Sequence, residues 1–329
     1  MRWRPRFADG TGPVLVVLVV LLAGLAFAGP AYAEPSGYLA LLKRAAPLVV
    51  LAIGQYFVIV SGGFDLSVGS LVTAEVVVAA RLINGDDANT AWVTALLLGC
   101  GLLVGLVNGL ITTKLLVPSF IVTLGMLLVL DGAVFLWTGG APRGALSPSF
   151  RVVGRGGVDV PVLGQLPWSV VVLLVVVAAA VWFMRSGTGR TLVAVGDNEK
   201  VVRLAGGRVD RLRLLAFVLS ALLATVAAIL LAGFAGVSAQ VGQGLEFRAI
   251  TAVVLGGVLL GGGRGSVVAA AAGALSLEAL FSLLNLLGVS GALESAVQGA
   301  IIIAAVAYAA HGAGLRQALR PRRSAPNTT

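Results

Sequence analysis

Five acidic residues sit within or at the margins of long apolar runs: Asp65, Glu75, Asp131, Glu278 and Glu294. An ionised side chain at the centre of a bilayer costs roughly 2.5–3.5 kcal/mol on insertion scales, so each must face a cavity, a partner or a helix end. Asp65 is the most informative. It follows Gly62-Gly63, which can break a helix, and precedes Leu66-Ser67-Val68-Gly69. Its carboxylate can therefore accept the free N–H groups of a following helix, or else contact a substrate. Glu278 lies mid-run among Ala and Leu, where it can serve as a proton relay or as a buried hydrogen-bond partner for a neighbouring helix.

Several other chemistries are excluded. The three lysines follow Leu42, Thr113 and Glu199, so the Gly-Lys pair of a phosphate-binding P-loop does not occur. A single Cys, Cys100, and a single His, His311, cannot build a disulfide framework, a Cys/His zinc site or an iron–sulfur cluster. His311 closes the last apolar run far from any G-x-S-x-G elbow and reads as an interfacial histidine, which leaves a membrane-embedded hydrolase without its base. Gly261-Gly262-Gly263-Arg264-Gly265 lacks the strand–turn–helix setting of a phosphate loop and reads as a kink. The net charge is +9, but no basic run is interleaved with aromatics, so nucleic acid is not an expected partner.

The elements that must position these residues are transmembrane helices. Of 329 residues, 58% are apolar and 11% charged, against about 25% charged in a soluble domain, so the solvent is lipid. At 1.5 Å rise per residue, about 20 apolar residues cross the ~30 Å hydrocarbon core. Ten runs qualify: 13–33, 45–62, 66–84, 91–113, 118–138, 167–184, 212–236, 247–262, 266–287 and 292–310. The expected fold is an all-α polytopic membrane protein of about ten helices. One or two should be broken or half-length, with 66–84 and 247–262 the candidates. The expected organisation is a cytoplasmic tail over 1–12, a transmembrane domain over 13–310 and a cytoplasmic tail over 311–329. With ten crossings and a cytoplasmic N-terminus, 16 of the 23 Lys and Arg residues fall inside and 7 outside, as the positive-inside rule requires. A rival reading takes Arg2, Arg4 and Arg6, the run after Pro13 and Ala31-Tyr32-Ala33 as a cleaved signal peptide.

Small residues punctuate the runs. Gly101, Gly105 and Gly109, at four-residue spacing, form either a packing seam within one subunit or a dimer seam. Ser61-Gly62-Gly63 and the stretch from Gly256-Gly257 to Gly265 suggest broken helices near a transport pathway, both on the same side of the membrane. The 185–213 loop is the largest polar segment between two runs. Within it Val201, Val202, Leu204 and Ala205 alternate with charges, which reads as a short amphipathic helix capped by Asp197 or Asn198 and stopped by Gly206-Gly207. A helix so short is marginal alone. It is either a solvated positive-inside loop or a docking element.

Ser61-Gly62-Gly63-Phe64-Asp65-Leu66-Ser67-Val68-Gly69-Ser70 resembles the GG-x-DLSVGS signature of the membrane-spanning permease subunits of ribose-type ABC importers. Those subunits belong to the bacterial binding-protein-dependent permease family that also includes branched-chain amino-acid permeases. Four further stretches agree in order and spacing: Val107-Asn108-Gly109-Leu110, Pro118 through Ser119-Phe120, Thr123 and Gly125, then Gly189-Arg190 with Gly196-Asp197-Asn198-Glu199, and Ala252 through Gly256-Gly257 to Gly262-Gly263-Arg264-Gly265-Ser266.

The resemblance, over about residues 45–308, implies a subunit of the bacterial cell membrane that pairs with a second permease copy. It further implies two cytoplasmic ABC ATPase subunits and a solute received from an extracytoplasmic binding protein. The chain itself would bind no cofactor or metal, ATP being used by its partner, and would not be an enzyme. The implied pathway and signature residues are Gly62, Gly63, Asp65, Ser67, Asn108, Phe120, Thr123, Gly125, Gly256, Gly257, Gly262, Gly263 and Arg264, and the implied ATPase-coupling residues are Gly189, Arg190, Gly196, Asp197, Asn198 and Glu199. Asp131 and Arg248 stand where the family pattern has a basic and an acidic residue, a swap that is compensated if the two approach each other. A monosaccharide is the expected solute, with a branched-chain amino acid or a nucleoside as alternatives. A proton-coupled carrier using Glu278 or Asp131 is the competing class.

Overall fold

The computed structural model describes residues 11–161, 164–289 and 291–318. Arg2, Arg4 and Arg6 of the expected N-terminal tail, the tail beyond Ala318 and the side chain of His311 lie outside the described residues. Among the described residues thirteen α-helices follow one another: α1 (Thr11–Ala28), α2 (Pro35–Val60), α3 (Val68–Ile83), α4 (Thr90–Lys114), α5 (Ser119–Thr138), α6 (Pro148–Arg155), α7 (Trp168–Arg185), α8 (Gly187–Asp197), α9 (Glu199–Leu204), α10 (Val209–Ala235), α11 (Leu245–Leu255), α12 (Val267–Leu286) and α13 (Gly291–Ala318). Between α6 and α7, strands β1 (Gly157–Val160) and β2 (Gly164–Pro167) pair antiparallel with Gly157 opposite Pro167. That hairpin is the one departure from an all-α chain among the described residues.

Each of the ten apolar runs contains a helix, although the first is helical only to Ala28 and the eighth only to Leu255. Seven of them, α1, α2, α4, α5, α7, α10 and α12, are long and apolar enough to cross a membrane on their own. The two candidates for half-length helices are the short ones, α3 with 16 residues and α11 with 11. Helix α13 runs on to Ala318, past the end of its apolar run.

Because lipid tails are as apolar as leucine, helices in a bilayer are held by close packing and buried hydrogen bonds. Helices α2, α10 and α12 carry the interior, and α1, α5 and α7 turn most of their apolar side chains outward. Helix α1 lies along α12, with Val14 packed on Ala269 and Ala272, and Leu25 packed with Leu41 and Ala279. Gly101, Gly105 and Gly109 form an intrasubunit seam. A Cβ at Gly105 would lie 2.7 Å from Val218 Cα, and one at Gly109 would lie 3.1 Å from Leu214 Cα, both on α10.

Candidate functional site, a broken-helix junction joined to the coupling loop

Helix α2 stops at Val60 because Gly62 takes a left-handed φ of +89°, where a side chain is strained, and the chain stays irregular until Val68. The backbone polar groups freed here have no water to turn to, so neighbouring helices must satisfy them. The hydroxyl of Ser119 on α5 accepts from Phe64 N–H at 3.0 Å, and that of Thr123 accepts from Leu66 N–H at 3.0 Å. Asp65, 1% exposed, accepts from Ser67 N–H at 3.0 Å and Ser67 Oγ at 2.6 Å through Oδ1, and from Ser220 Oγ of α10 at 2.9 Å through Oδ2. Asn108 of α4 completes the set, its amide donating to Ser67 Oγ at 2.9 Å. Asp65 does not cap the first-turn N–H groups of α3, whose N-cap is Ser67 without a side-chain cap bond; it accepts instead from Ser67 itself, two residues on, and ties the start of α3 to α10.

Two further stretches meet this junction from the loop side. Gly263 N–H donates to the Val60 carbonyl at 2.9 Å. A Cβ at Gly196 would collide with that same carbonyl and with Gly263 N, and one at Gly262 would lie 2.9 Å from Gly62 N. Gly62, Gly196, Gly262 and Gly263, far apart in the chain, therefore make one backbone-on-backbone contact. The two glycine-interrupted boundaries do lie on the same side.

The 185–213 segment is two helices with a corner between them, rather than one. Asn198, not Asp197, is the cap, accepting from Val201 N–H at 3.2 Å, and Gly206 at φ +79° ends α9. Val195, Val202 and Val209 bury together beneath the corner, while Val201 and Leu204, 58% and 89% exposed, face away from the bundle. Glu199 forms ion pairs with Arg203 Nε at 2.9 Å and with Arg213 Nη2 at 2.8 Å. Arg213 Nε also reaches the Ser61 carbonyl at 3.5 Å.

Not every expected residue joins this cluster. Phe120 is 53% exposed and Gly125 opens onto space, both on the outer surface of α5. Gly256 packs against α12, where its Cβ would lie 2.9 Å from Ala270 Cα, and Gly257 ends α11 at φ +78°. Gly189 packs on the end of α7 and Arg190 is exposed, while Arg264 is exposed beside the glycine contact. Ser67, Asn108 and Thr123, expected to line a pathway, are fully buried, with Asn108 bonded to Ser67 and Thr123 bonded to the backbone of the 64–66 segment.

The remaining acids separate by environment. Glu75 accepts from Thr225 Oγ1 of α10 at 2.7 Å. Arg248 pairs with Glu294 at 3.0 Å, not with Asp131, so the two swapped residues do not pair with each other within the chain. Glu278 shares a cavity of about 380 Å³ with Arg44, Arg248 and Glu294, so two of the acids scattered in sequence meet two arginines in space. Asp131 is exposed on α5.

Sequence reading quoted Ser119 within a matching stretch without giving it a role, and missed Ser220, Thr225 and Arg213. For two of them a signal existed. Between Leu214 and Ala235, Ser220 and Thr225 are the polar side chains of α10, and each serves a buried carboxylate.

Comparison with known proteins shows the family. The model of the family described as branched-chain amino acid transport system / permease component matches residues 37–306. The chain belongs to this permease family. Among curated relatives, the permease is 35% identical over 296 residues to the ribose import permease protein of Escherichia coli K12, covering 89% of this chain and 91% of the relative. It is 35% identical over 301 residues to the ribose import permease protein of Bacillus subtilis 168, covering 89% of each. It is 34% identical over 307 residues to the autoinducer 2 import system permease protein of Enterobacter sp. strain 638, covering 92% and 87%. No solved structure matches the permease. It is a multi-pass protein of the cell membrane.

Proposed function

We propose that the permease forms the translocation pathway of an ABC importer for a neutral monosaccharide or close relative, delivered by an extracytoplasmic binding protein and driven by separate ATPase subunits. The observation that carries this reading is the contact between the 185–213 loop and the α2–α3 junction. A two-helix corner with exposed Val201 and Leu204 offers a docking surface, and it is fused through Gly196 to the break that Asp65 holds. Relatives named for ribose import support the sugar assignment.

Ten crossings with cytoplasmic termini follow if α3, α11 and α13 complete the seven long helices. That puts Gly189, Arg190, Gly196, Asp197, Asn198 and Glu199 on the cytoplasmic side, in the role of ATPase coupling. Ser67, Asn108 and Thr123 act as the signature's internal brace. The pathway wall falls to surfaces such as the outer face of α5, where Phe120, Gly125 and Asp131 are exposed. An ionised Asp131 facing lipid would cost about 2.5–3.5 kcal/mol, so this face turns toward a second copy or water. The permease binds no nucleotide, because it has no P-loop lysine.

Reconstitution tests this reading. ATP hydrolysis should appear only when an ATPase subunit is added to the purified permease. Stoichiometric nucleotide binding by the permease alone would contradict it.

A further inference from the structure

We infer that Arg213 is the positioning residue that ties movement of the coupling loop to the α2–α3 break, an assignment that rests on the docking role proposed above. Its guanidinium bridges two parts of the chain. Nη2 meets Glu199 Oε2 at 2.8 Å, and Nε reaches the Ser61 carbonyl at 3.5 Å. Glu199 is the first residue of α9, the helix whose outer face carries exposed Val201 and Leu204. Ser61 begins the irregular segment that ends in the Asp65 brace. One planar side chain therefore spans the distance from an exposed docking surface to a buried junction.

Position on α10 strengthens the assignment. Arg213 and Ser220 are seven residues apart, two helical turns, and so share a face. Arg213 holds the start of the 61–65 segment and Ser220 its end, at Asp65. A shift of α9 that draws on Glu199 thus acts on the rigid helix that grips both ends of the break. The chemistry needs arginine. A guanidinium presents several donors in a fixed plane and can serve a carboxylate and a carbonyl together, whereas an ammonium is a point charge with no such fork.

Arg203 supplies the control. It pairs with the same Glu199 at 2.9 Å and with Asp210 at 2.6 Å, but among the described residues it makes no contact with the break. A residue that merely steadies α9 would behave like Arg203.

The experiment measures solute moved per ATP hydrolysed in proteoliposomes holding the permease, its ATPase and its binding protein. Wild type, Arg213→Ala, Arg213→Lys and Arg203→Ala are compared, with assembly checked by co-purification. Arg213→Ala should lower the ratio about tenfold, Arg213→Lys by a smaller factor, and Arg203→Ala by less than about twofold. Equal losses for Arg203→Ala and Arg213→Ala, or an unchanged ratio in Arg213→Ala, overturn the assignment. Should Arg213→Ala fail to assemble, Arg213→Lys decides, and a wild-type ratio in that variant overturns it. A wild-type permease that fails to stimulate the ATPase defeats the docking reading itself, which is a separate result.

Discussion

The hydroxyl of Ser220 donates to Asp65 Oδ2 at 2.9 Å, across 155 residues of chain, with both side chains 1% exposed. Asp65 accepts two further bonds from Ser67, and Ser67 accepts one from Asn108. Removing the carboxylate leaves buried donors without partners, at about 1–3 kcal/mol for each unsatisfied group. Asp65→Ala should therefore lower Tm in detergent, measured by tryptophan fluorescence, with Asp65→Asn lowering it less. Equal Tm values for Asp65→Ala and wild type would show that the brace is not structural.

Glycine substitutions should separate by position. Gly105→Val forces a side chain into the backbone of α10 and Gly196→Leu forces one into the end of α2, whereas Gly99 faces open space. Gly105→Val should reduce the amount of folded protein in the membrane. Gly196→Leu should abolish transport while the protein remains in the membrane, and Gly99→Val should be close to wild type. A Gly196→Leu permease that transports normally would show that the glycine contact plays no part in transport.

Much of the junction is legible in the sequence. Gly62-Gly63 ahead of Asp65 marks a broken helix, though Asp65 bonds Ser67 and Ser220 instead of capping α3, and the alternation around Val201 marks a short amphipathic helix. What is not legible depends on distance in the chain. Nothing local to Asp65 names Ser220, and nothing local to Glu199 names Arg213, because both partners come from a helix whose approach is set by the Gly101–Gly105–Gly109 seam. The grouping of Arg44, Arg248, Glu278 and Glu294 is hidden for the same reason, since three helices and the start of α13 converge there.

The coupling loop should also respond to pH in a defined direction. Burial pushes the Glu199 carboxyl upward, but the hydrogen bonds and charges of Arg203 and Arg213 outweigh it and hold the group below the usual carboxylate range. A depressed folded-state pKa gives stability that is present above the unfolded value of about 4.3 and is lost as pH falls through the lower folded value. Asp210 faces the same Arg203 at 2.6 Å. Hydrogen exchange in α9 should be insensitive to this group around neutral pH, and protection relative to Glu199→Gln should shrink in acid. Identical protection in the two proteins across that range would contradict the clamp.

Topology is open to cysteine labelling in a background lacking Cys100. Single cysteines at Asn84 and Gln165 should react with an impermeant reagent added outside intact cells. One at Asn198 should react only after the membrane is opened. Labelling of Asn198 from outside would invert the coupling loop and sink the docking role with it.

Uptake of radiolabelled pentoses and hexoses, set beside leucine and nucleosides in cells expressing the complete import system, tests the central claim most directly. The expected result is ATP-dependent accumulation of at least one neutral monosaccharide and none when Gly196→Leu replaces the wild-type chain. Accumulation of leucine or a nucleoside with no sugar transported would contradict it.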